Sequence, residues 1–187
     1  MLRKHIAAAF LLPLLLLPLL LAACIARHPE VTVEDDRFSK DVVVFGWGNY
    51  VNNNPWGGIF RDWRLRSFVD KQTHAVSHQI YVEIHYDDEY QYFNSAADDT
   101  ARDLTVLLID RSNMCPRITC THYETVGITI DDATLRARAA RGLQVKLSAR
   151  RGSSFVMTLS PEQIGLQLAA IDRLLHPAAA APPAAQK

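Results

Sequence analysis

The residues best suited to chemistry in this chain are four histidines, two glutamates and a group of aromatic side chains beside amides. His74, His78, His85 and His122 form the set most like metal ligands. His74 and His78 share a face only if helical, and turn residues before them and strand residues after them argue against a helix. His78 and His85 stand seven apart on an expected strand, which places them on opposite faces and more than about 20 Å apart. No metal site is expected. Glu83 and Glu124 both fall on expected strands, and a carboxylate pair is the minimum for glycoside hydrolysis, provided the separation suits it. The alternative is that Glu124 shares a face with Val126 and Ile128 and is satisfied there by Arg111 or Arg102. The chain has no Gly-x-Ser-x-Gly elbow. Ser, His and Asp can be assembled into a set from any composition like this one, so their presence carries no weight. No catalytic residue and no cofactor is assigned.

A second candidate is a ligand-binding surface. Residues 48–58 (GNYVNNNPWGG) read as a loop because glycines, an asparagine run and a proline follow one another. Tyr50, Asn53 and Trp56 there combine rings that can stack on a sugar with amides that can bind its hydroxyls. The plainer reading is that the tryptophans plug the end of a β core while Asn52, Asn53 and Asn54 make turns.

The elements that must position these residues are mostly strands. Residues 41–47 are short and rich in β-branched and aromatic side chains. Residues 61–70 and 77–86 read as a hairpin, and Ile80, Val82, Ile84 and Tyr86 alternate with polar residues in its second strand. A further strand is expected over 90–95. Residues 104–111 (LTVLLIDR) have almost no polar interruption and are expected to form the most central strand. Its hairpin partner is 122–130, with Val126, Ile128 and Ile130 facing inward. Asp131 is placed to cap a short helix that Gly142 ends. Two more alternating strands follow, around Leu143–Val145–Leu147 and Phe155–Met157–Leu159. Ser160, Pro161 and Gln163 then make a helix start, with Ile164, Leu168, Ile171 and Leu175 on one stripe. The expected fold is mainly β (β-rich α+β): a single antiparallel sandwich or curved sheet, with a short internal helix and a C-terminal amphipathic helix.

The N-terminus has the organisation of an export signal. Arg3 and Lys4 precede an uncharged, mostly apolar run from Ile6, which ends in Ala22 and Ala23 directly before Cys24. Leu21-Ala22-Ala23-Cys24 resembles the lipobox of bacterial lipoproteins, and the general layout resembles uncharacterised envelope lipoproteins of Gram-negative bacteria. That resemblance implies lipidation at Cys24, anchoring by N-terminal acyl groups and, because Ile25 rather than aspartate follows the cysteine, sorting to the outer membrane. It divides the chain into a signal (1–23), a lipidated tether (24–40), a globular domain (41–176) and an Ala/Pro tail (177–187). It also implies an oxidising compartment, in which Cys115 and Cys120 remain as a pair and read as one disulfide. Half of a metal site with His122 is the alternative.

Composition narrows the function. The chain carries 20 Lys+Arg and 20 Asp+Glu, and a near-neutral total argues against a nucleic-acid partner. Residues 83–110 are acidic and 136–151 basic, which is expected to leave the two blocks facing solvent or each other. The expected function is a non-catalytic recognition or assembly module of the envelope with a protein or glycan partner. Alternatives are a small-ligand binder and an inhibitor of a wall-degrading enzyme, although no inhibitory motif of that kind occurs. Lys187 occupies the position by which the murein lipoprotein joins peptidoglycan, and nothing else between the two ends matches it.

Overall fold

The computed structural model describes residues 30–52, 60–87, 89–116 and 118–177. Cys24, Asn53, Trp56 and Lys187 lie outside these. Among the described residues, two antiparallel sheets and two helices make a β-rich sandwich.

The larger sheet is built around two long strands, β4 (Phe60–Asp70) and β5 (Val76–Asp87). They pair from Phe60↔His85 to Val69↔Val76. Asp70 closes the tight turn between them: its carboxylate accepts from the backbone N–H groups of Gln72 and Thr73. On one side of β4 lie β2 (Asp41–Phe45), β1 (Thr32–Glu34) outside it, and β3 (Asn49–Asn52) along the other half of β4. The chain enters the sheet at Thr32, close to Val31, where the polar segment before residue 41 is expected to become ordered. One expectation changes here: the first part of the glycine- and asparagine-rich segment is strand. Asn49 to Asn52 gain ladder hydrogen bonds from β4, and those override the turn preference of the residues.

On the other side of β5 lie β9 (Thr121–Ile130) and, at the sheet margin, β8 (Val106–Met114). The hairpin of β8 with β9 forms as expected. The expectation that β8 is the most central strand is overturned, because β4 and β5 take the centre and Leu107, Leu108 and Ile109 of β8 are 43–52% exposed. A continuous apolar run fits a strand buried on both faces, but it does not distinguish that from an apolar edge. Successive strand side chains point to opposite faces, so Leu107, Leu108 and Ile109 cannot all face inward, and an irregularity between Leu108 and Asp110 puts Ile109 out of the ladder.

The smaller sheet has the order β11 (Ser154–Leu159), β10 (Leu143–Ala149), β6 (Phe93–Asp98), β7 (Asp103–Leu104). β6 begins three residues later than the composition of 90–95 suggests. Leu143, Val145 and Leu147 alternate inward as expected and meet Trp63, Leu65, Ile80, Val82, Val126 and Ile128 of the large sheet in one core. The chain changes sheets between β7 and β8, at Thr105.

Two helices close the end that the small sheet leaves open. Asp131 caps α1 (Asp132–Arg138) through the N–H of Thr134. Gly142 follows with φ of 81°, where a side chain would also collide with the Leu159 carbonyl. Ser160 and Gln163 form a reciprocal capping box on α2 (Pro161–Leu175). α2 inserts Ile164 and Leu168 into the main core. One turn on, Ala170 and Ile171 form a separate cluster with Val44 and Val69.

Candidate functional site

The inward-facing polar residues of the large sheet gather at two places, and neither is an open catalytic centre. Around Glu124, the register Ile84↔Glu124 puts the carboxylate on the core side, where it is fully buried. It accepts from the Tyr86 hydroxyl, from the backbone N–H groups of Tyr92 (2.9 Å) and Phe93 (3.2 Å), and from Arg111 Nε and Nη2 (3.3 and 3.1 Å). Tyr92 has φ of 61°, an unfavourable conformation for a bulky residue. There it turns two successive N–H groups onto one anion, as backbone nests do. Arg111 lies against the rings of Tyr92 and Tyr90, 4.7 and 5.7 Å from their centroids. Burial, together with the hydrogen bond to Glu124 and the charge of that carboxylate, pushes the Tyr86 phenol well above its ordinary range, against the opposing N–H of Gln91. Five donors leave this carboxylate no lone pair for a substrate. The expected Glu124–Arg111 pair is present. The carboxylate pair proposed from the sequence is not, because Glu83 pairs with Thr125 on the opposite face of the sheet.

The second place is a line of Ser67, His78 and Asp132. Ser67 Oγ lies 2.7 Å from His78 Nδ1, and His78 Nε2 lies 3.0 Å from Asp132 Oδ1. The composition resembles that of a hydrolytic triad, but Ser67 and His78 are both fully buried, so the hydroxyl meets no substrate. Sequence reasoning did not join these three. A readable signal was nevertheless present: Trp63, Leu65, Ser67 and Val69 alternate inward, as do His78, Ile80 and Val82, and a polar residue in such a series requires a partner.

The remaining candidates separate. His74 sits in the β4–β5 turn with φ of 58°. His85 packs against Tyr123 across the outer face, with centroids 4.5 Å apart and the ring planes tilted by 60°. His122 is buried between Tyr86 and Tyr90. Among the described residues no three His, Cys, Asp or Glu side chains gather to hold a metal. Cys115 and Cys120 are joined in a disulfide. Tyr50 lies on β3, 64% exposed, opposite Asp62 on the outer face. The acidic and basic blocks meet in part, through Asp99 with Arg138 at 2.7 Å and Glu89 with Arg151.

The surface that stands out is the margin of the large sheet. β8 has β9 on one side and no partner strand on the other among the described residues. Leu107, Leu108 and Ile109 are exposed along it. Met114 at the end of β8 and Ile118 in the adjoining disulfide loop add to it, the latter 99% exposed. Large apolar side chains concentrated on one free edge make it a candidate interaction surface.

The architecture defines a small two-sheet β protein with a polar-pinned core and one apolar edge. No family model, curated protein or solved structure matches this chain.

Proposed function

We propose that this chain is a lipid-anchored, non-catalytic recognition or assembly module of the bacterial envelope, and that it engages an extended segment of another envelope protein along β8. The observation that carries the reading is the free apolar edge. Its unpaired N–H and C=O groups are satisfied by an added strand, and Leu107, Leu108 and Ile109 offer apolar contact to alternate side chains of that strand. The irregularity at Ile109 restricts which strands fit, since an interrupted ladder resists indiscriminate pairing. Anchoring through Cys24 rests on the lipobox-like sequence, and two or three acyl chains are needed for a lasting hold.

Both parts are testable in cells. Cys24→Ser is expected to leave an uncleaved, unlipidated precursor, and normal processing of that variant overturns the anchor. A photo-crosslinker at position 108 is expected to mark one envelope protein through an extended peptide. The link should disappear with Leu107→Asp while the melting temperature stays unchanged. Crosslinks only between copies of this chain, or none, overturn the strand-capture reading.

A second reading, favoured by the exposure of Tyr50 on the outer face, is a glycan or small-ligand site that extends to Asn53 and Trp56. Tryptophan emission titrated with peptidoglycan fragments tests it, with Trp56→Ala as control. An unchanged signal, or one shared by the variant, removes it.

A further inference from the structure

The buried line of Ser67, His78 and Asp132 continues at both ends and closes on itself. Gln167 of α2 places its Nε2 2.8 Å from both the Val44 carbonyl and Ser67 Oγ. At the other end Arg136 donates its Nε to Asp132 Oδ2 at 2.8 Å and its Nη2 to Asp172 of α2 at 2.9 Å. The circuit therefore runs from α2 through β4, β5 and α1 back to α2. It sits beside the separate Val44–Val69–Ala170–Ile171 cluster.

The direction of every proton in the buried half follows from one backbone group. The Val44 carbonyl can only accept, so the Gln167 amide must turn its nitrogen toward it, and that nitrogen then also donates to Ser67. Ser67 has one proton left, and it goes to His78 Nδ1. His78 is thereby held neutral with its proton on Nε2, donating to Asp132. A second proton on the ring would have to sit on Nδ1, facing the Ser67 hydroxyl proton across 2.7 Å.

We propose that this circuit is an acid-sensitive clamp. Protonation of His78 reverses the Ser67 hydrogen bond, leaves the Ser67 hydroxyl proton without its acceptor beside the Gln167 amide and loosens α2 and α1 from one end of the large sheet, while the two-sheet core at the other end holds. The proposal is independent of the strand-capture reading.

The groups facing His78 fit this behaviour. β4 and α2 present the neutral Ser67 and Gln167, and β9 presents Ile130 opposite it in register. α1 presents Asp132, with Asp131 and Arg136 behind it. Burial lowers the imidazole below its ordinary value of 6.5, and Arg136 adds to this. The hydrogen bond and charge of Asp132 and the charge of Asp131 oppose the shift without reversing it. Below that value the unfolded chain binds more protons than the folded one. The stabilisation is therefore complete above about pH 6.5 and is lost as the pH falls.

The test uses the full chain in detergent micelles. Imidazole nitrogen shifts at pH 7.5 are expected to show His78 as the Nε2–H tautomer, and a proton on Nδ1 overturns the proposal without need of any variant. Hydrogen exchange, corrected for intrinsic rates, is expected to be at least about threefold faster in α2 at pH 5.0 than at pH 7.5, with β10 unchanged. His78→Gln should abolish that difference. Should it fail to fold, Ser67→Ala, which removes the opposing proton, should move the midpoint to higher pH. Equal protection of α2 at both pH values, equal loosening of α2 and β10, or an unchanged midpoint in Ser67→Ala overturns the clamp.

Discussion

The β5–β9 ladder carries a buried polar cluster at each end, and the two are held in opposite ways. At one end Glu124 is a charge surrounded by more donors than a neutral side chain could use. At the other, His78 stands in a chain of single hydrogen bonds between Ser67 and Asp132. The charged cluster tolerates the loss of one donor because others remain. The neutral cluster has a single hydrogen bond at each link from Gln167 through Ser67 and His78 to Asp132, so a change in proton count at His78 is felt at Ser67. Abundance of donors fixes the first; order fixes the second.

Removing the anion itself separates the two most sharply. Glu124→Ala leaves Arg111 and three N–H or O–H donors without their acceptor, and is expected to cost about 3–5 kcal/mol in denaturant unfolding. A loss under about 1 kcal/mol breaks the comparison. Ser67→Ala leaves the Gln167 donor and the His78 acceptor unpaired, for an expected cost of about 2 kcal/mol. Tyr86→Phe, which deletes one donor of five, is expected to cost only about 1 kcal/mol. If it costs more than Ser67→Ala, redundancy does not protect the charged cluster. Leu108→Lys on the open edge is expected to change stability by less than about 0.5 kcal/mol, since it disturbs neither cluster.

The two clusters differed in how far the sequence revealed them. Glu124 stands in register with Val126 and Ile128 and has Arg111 on the neighbouring strand of its own hairpin, so alternation alone brought the pair into view. The second cluster joins residues 11, 54 and 100 positions apart. Its assembly needs the β4–β5 register and the seating of both helices, which no local pattern specifies. The helix ends at Asp131 and Ser160 were legible because capping is decided within four residues. The place of β8 was not. An unbroken apolar run says that a strand avoids water without saying on how many sides it succeeds, and a place at the sheet margin leaves no mark in composition.

The order of strands also sets distances. β1 begins at one margin of the large sheet and β8 lies at the other. Five inter-strand steps span about 24 Å. If the chain is tethered at Cys24, the eight residues to Thr32 reach at most about 28 Å when extended. With the sheet standing on its β1 margin, the apolar edge is then carried up to about 50 Å from the lipid, and a slack tether brings it nearer. On the proposed anchor, the strand order would set how far from the membrane a partner has to present its segment.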